Sequence, residues 1–107
     1  MNNTKSPQYQ AKVTALFNQA LAFHQRGELA QAWQIYERVL AMQPAHFNAL
    51  HLSGLIAVES NNPELGIELI NKAIKIDSTN AAAHSNLGNV LMKLRRLEEA
   101  IASYDLS

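Results

Sequence analysis

The sequence predicts an all-α fold in which three helical hairpins stack into a curved solenoid, six helices with the last one truncated. Three observations predict it. The chain matches itself at a spacing of 34 residues: Gly88 falls on Gly54 and then Ala20, Ala100 on Gly66 and then Ala32, Tyr104 on Ile70 and then Tyr36. A fixed period of this length marks a stacked repeat. Within each period, apolar residues recur at helical spacing, and turn-forming residues separate them.

Each element follows from its residues. Residues 1–6 are polar and are expected to be disordered. Ser6-Pro7 reads as N-cap and first helical position, because the hydroxyl accepts an orphan N–H and proline has none to waste. Val13, Leu16, Phe17, Ala20, Leu21 and Phe23 carry the first helix over about 8–25, and Arg26-Gly27 ends it. A second helix, about 28–42, has the stripe Leu29, Ala32, Trp33, Tyr36, Val39 and Leu40, with Pro44 beyond it. The third, about 45–60, stops at Asn61-Asn62. Asn62 caps the fourth, about 63–76, with Pro63 at its first position. Apolar residues on most faces of that fourth helix call for neighbours on several sides, as a middle repeat has. Asp77-Ser78-Thr79-Asn80 opens a fifth helix over about 80–94. A break at Leu94–Arg96 and a sixth helix from Leu97 are expected by register.

Small residues stand where the paired helices should cross: Ala20 with Ala32, Gly54 with Gly66, Gly88 with Ala100. They allow close backbone approach, and a larger residue there costs about 1–3 kcal/mol of strain. One hairpin cannot bury both of its faces, so the units stack. The repeats are expected at about 13–46, 47–80 and 81–107, inside one domain over 7–107.

Composition narrows the function. Charged residues are 17% of the 107, below the roughly 25% usual for a soluble domain, so some apolar surface is expected to meet something other than water. Net charge is zero, which argues against nucleic acid and anionic membranes as partners. There is no cysteine, hence no disulfide framework. MNNTKSPQYQ has no apolar h-region, so no secretory signal is expected and the chain is placed in the cytoplasm. No phosphate loop, no H-E-x-x-H and no nucleophile motif appears, so the residues are read as non-enzymatic and cofactor-free. His46 and His51 are five apart and lack chelating spacing. His24, His51 and His84 fall on separate helices, so they are read as packing or groove histidines without a metal.

The residues that recur in phase resemble the tetratricopeptide repeat (TPR) family: Leu87-Gly88, Leu91, Leu97, Ala100 and Tyr104 in the third unit; Leu16, Ala20, Phe23, Gly27, Ala32, Tyr36, Val39 and Pro44 in the first; Leu50, Gly54, Ala57, Asn61, Gly66, Ile70 and Ala73 in the second. Gly66 stands where the family has Ala, Ser78 where it has Pro, and Arg95 where it has Gly. The resemblance implies a right-handed superhelix and a concave groove lined by the first helix of each unit. That groove would hold a peptide or partner helix through Phe17, Asn18, Leu21, His51, Leu55, Asn86 and Asn89. Asparagine amides can grip both C=O and N–H of an extended peptide, although such residues also serve merely to cap or solvate helices. The family's two-carboxylate clamp needs Lys and Arg inside the groove. Phe17, Leu21, His51, Leu52 and Asn86 stand there instead, with Lys93 nearby, which argues against that use.

Ser85-Asn86-Leu87-Gly88-Asn89 followed by Leu97-Glu98-Glu99-Ala100-Ile101 is similar to repeats of the O-linked N-acetylglucosamine transferase family. In its bacterial members such repeats precede a glycosyltransferase domain, which implies a parent protein of that kind. Ser107 falls within the sixth helix, whereas solenoids finish on a polar capping helix. The chain is therefore expected to be the N-terminal part of a longer protein. Its face at Leu97, Ile101 and Tyr104 is expected to pack on a further repeat or to self-associate.

Overall fold

A computed structural model describes residues 6–106 in backbone and 6–98 in full. Five helices follow one another: α1 (Pro7–Gln25), α2 (Leu29–Met42), α3 (Phe47–Glu59), α4 (Pro63–Ile76) and α5 (Ala81–Leu106). No strand occurs among the described residues. Helix α1 pairs with α2 and α3 with α4 as hairpins; α2 stacks on α3 and α4 on α5. The result is elongated, 62 × 28 × 23 Å. Its radius of gyration is 16.2 Å, against about 13 Å for a compact chain of this size.

Side-chain caps set the starts of α1, α4 and α5, whereas α2, with Glu28 at its N-cap position, starts without one. Ser6 Oγ accepts from Tyr9 N–H at 3.0 Å, Asn62 Oδ1 from Leu65 N–H at 3.3 Å, and Asn80 Oδ1 from Ala83 N–H at 3.0 Å. Helix α3 begins later than the sequence predicts, because the His46 ring takes the capping role: its Nδ1 accepts from Ala49 N–H at 3.1 Å. Helices α1 and α3 end identically. Gly27 and Asn61 take positive φ, 78° and 67°. The next N–H reaches back five residues, Glu28 to Phe23 O at 2.9 Å and Asn62 to Ala57 O at 2.8 Å.

The predicted break at Leu94–Arg96 does not occur, and the helix expected from Leu97 is the continuation of α5. Thus there are five helices where six were expected. The reason is local. One period on from Gly27 and Asn61 stands Arg95, and a residue with a long side chain does not enter the left-handed region that ends the other two helices. Lys93, Leu94, Arg95 and Arg96 are all strong helix formers, so nothing stops the helix. The expected frayed tail lies mostly outside the described residues, and so do the side chains of Ala100, Ile101 and Tyr104.

One core cluster is Val13, Leu16, Ala20, Ala32, Tyr36, Val39, Ala49 and Ile56, and Leu50, Ala57, Ile70, Ala73, Ala83 and Val90 are buried as well. Ala20 and Ala32 are fully buried at the first crossing. At the second, a Cβ added to Gly66 would lie 2.9 Å from the Gly54 carbonyl oxygen. The third expected crossing does not form, because Gly88 and Ala100 lie on the one helix α5; among the described residues nothing is within 4 Å of a Cβ on Gly88.

Candidate functional site

The seven residues expected to grip a peptide lie on α1, α3 and α5. Phe17 is half-buried and packs on the core, its ring stacked on His46 at 5.0 Å and tilted against Tyr36 at 5.9 Å. Leu21 and Leu55 are half-buried. Asn18 and Asn89 are exposed. His51 is buried, 7% exposed, and Asn86 is half-buried beside it.

One hydrogen bond and one longer polar approach run between these three helices. Asn86 Nδ2 donates to His51 Nε2 at 2.9 Å, linking α5 to α3. An amide nitrogen only donates, so Nε2 must be unprotonated and the ring neutral. Burial works in the same direction and lowers the His51 pKa. On the other flank, His24 Nε2 lies 4.0 Å from Glu59 Oε1, joining α1 to α3. The second ring nitrogen of His24, Nδ1, lies 3.3 Å from the Tyr36 hydroxyl. Burial pushes the Tyr36 phenol up to about 12, so it stays a neutral hydrogen-bonding group.

The arrangement is therefore a face braced from within. His51 is spent on Asn86 and contributes by holding it. One Asn86 N–H is used on His51; the side-chain carbonyl can accept, and the second N–H can donate, further hydrogen bonds. Sequence register placed both residues on this side but missed their pairing, and also the His24–Tyr36–Glu59 chain. A signal existed: His51 and Asn86 are 35 residues apart, one more than the repeat, which puts them on adjacent first helices at nearly the same height.

Among the described residues, no three histidine, aspartate or glutamate side chains converge to hold a metal ion. No described helix is long and apolar enough to cross a membrane. Two cavities among the described residues, of about 530 and 340 Å³, lie between α2 and α4 over α3 and are lined by none of the seven residues.

Residues 25–105 match the family model described as anaphase-promoting complex, cyclosome, subunit 3. The chain is 37% identical over 82 residues to the protein CTR9 homolog of Arabidopsis thaliana, a match covering 77% of this chain and 8% of that protein. Among solved structures it resembles a K341M mutant of the Thermobaculum terrenum O-GlcNAc transferase, with TM-score 0.79 and 34% identity. That likeness covers 88% of this chain and 18% of the other. The chain thus spans a small part of the length of both relatives.

Proposed function

Because this chain belongs to the tetratricopeptide-repeat family, whose repeats mediate protein–protein interaction, we propose that it holds a peptide or partner helix on the face of α1, α3 and α5. The observation that carries the reading is the make-up of that face. Phe17, Leu21 and Leu55 offer partly exposed apolar surface, and Asn18 and Asn89 present amides exposed to solvent. The His51–Asn86 hydrogen bond holds α3 and α5 together before a ligand arrives, which lowers the ordering cost of binding. Grip comes from amide hydrogen bonds to the ligand backbone, and preference from the apolar positions. Zero net charge is consistent with a protein ligand, without nucleic acid or a membrane surface.

A labelled peptide library tests this. Asn18→Ala with Asn89→Ala should weaken the selected peptides about tenfold, the loss of two modest hydrogen bonds. The pair Asn86→Ala with Asn89→Ala should weaken them at least as much, since it also frees His51. Unchanged affinity in both double variants removes the asparagines from the site.

The transferase likeness favours a second reading, in which these repeats form the substrate-recognition arm of a larger glycosyltransferase. A reading frame that continues past Ser107 into an α/β catalytic domain supports it; one that continues into a different catalytic or structural domain removes it.

A further inference from the structure

We propose that the trough between α2 and α4 is a second docking surface, for an amphipathic helix that brings an arginine to Glu37 between flanking leucine-type side chains. The two cavities share Trp33, Glu37 and Leu65 and so form one continuous trough. Leu29, Trp33, Glu37 and Leu40 of α2 make one wall. Leu65 and Leu69 of α4 make the other, and α3 is the floor.

Shape selects a helix. Along α2 the lining runs from Leu29 to Ala41, about 18 Å at the helical rise. That is roughly three turns of a partner helix. Two parallel ridges over a helical floor form the groove into which a third helix packs. An amphipathic helix meets such a groove with apolar anchors about one turn apart.

Charge selects the cation. Glu37 is the one ionisable side chain lining either cavity. It is exposed, and it takes part in none of the ion pairs among the described residues. Trp33 stands one turn before it on the same helix face. An arginine can lie flat on the indole and present its fork to the carboxylate, which a lysine ammonium cannot do. An acidic helix would meet Glu37 with like charge.

Trp33 is the sole tryptophan of the chain, so its emission reports on this trough and not on the α1/α3/α5 face. The test uses the full chain and two synthetic helical peptides. Both carry leucine at i, i+4 and i+7; the residue at i+3, on the same face, is arginine in one and glutamate in the other. The arginine peptide should shift Trp33 emission to the blue, shield it from acrylamide, and bind about tenfold tighter than its glutamate twin. Glu37→Gln should erase that preference. Ala30 and Ala41 line the trough and are exposed. Ala30→Arg and Ala41→Arg should therefore abolish binding with unchanged circular dichroism and melting. Asn18→Ala with Asn89→Ala should leave it intact, which separates this surface from the one under Proposed function. A silent Trp33, equal affinity for both peptides, binding that survives both arginine substitutions, or a blue shift that grows with protein concentration alone would overturn the proposal.

Discussion

Replacing Gly66 with alanine and Gly88 with alanine makes the same chemical change inside two successive helices, α4 and α5, and the outcomes should have opposite sign. A Cβ on Gly66 would lie 2.9 Å from the Gly54 carbonyl oxygen and would also strike the Val58 Cγ2 methyl. The methyl can turn aside. The carbonyl belongs to the α3 backbone and cannot, so α3 and α4 must separate, at about 1–3 kcal/mol. Alanine returns about 1 kcal/mol over glycine inside a helix, leaving a net loss of about 1 kcal/mol. At Gly88 nothing among the described residues lies within 4 Å of the new Cβ, so the same gain of about 1 kcal/mol stands unopposed. Since both variants restrict the unfolded chain equally, their difference of about 2 kcal/mol reports on packing alone. Urea denaturation followed by helical circular dichroism would show the two midpoints moving apart at constant slope, and melting temperatures separated by about 10 °C. Equal shifts, or a Gly66→Ala variant more stable than the parent, would refute the close crossing of α3 and α4.

Three further outcomes follow from particular contacts. His46 and His51 both act as acceptors through a ring nitrogen, and burial lowers both pKa values below the ordinary 6.5. The unfolded chain therefore takes up protons first as pH falls. Stability should be full above about 6.5 and decline as pH drops toward the folded-state values. His46→Asn keeps a capping acceptor that does not titrate and should flatten the decline, as read by urea midpoints across pH 4.5–7.5. Gly27→Ala forces a Cβ into φ 78° and should cost about 1 kcal/mol, whereas Asn61→Gly at φ 67° should be neutral or stabilising by a few tenths; thermal melts decide both. Arg95→Gly should weaken α5 locally by about 1 kcal/mol, seen as faster amide exchange around residues 92–99 with little change in α1–α4.

How much of this was legible depended on whether a residue's job is local. Pro7, Gly27, Asn62 and Pro63 fix helix ends through their own backbone chemistry, and α1, α2 and α4 begin and end within a residue of expectation. At Arg95 the repeat period and the local sequence disagreed, and local helix formation prevailed, because a turn needs a residue that can enter it. The sequence places His46 inside the third helix, and histidine is not among the usual capping residues; its position against Ala49 N–H reveals the role. For the site, register placed Phe17, Leu21, Leu55, Asn18 and Asn89 on the first helices of their hairpins. It could not show that His51 turns inward to Asn86, since a side chain's partner depends on the height at which two helices meet. Trp33 read as one more apolar stripe residue of α2. Its place in a trough depends on the spacing of α2 and α4, which no single helix encodes.

The most direct test of the account is a titration of the ¹⁵N-labelled chain with a peptide selected from the library, followed through its side-chain amide and backbone resonances. Binding on the braced face predicts movement of the Asn18 and Asn89 side-chain amides, together with backbone shifts at Phe17, Leu21 and Leu55. Saturable binding that leaves those signals in place would contradict it.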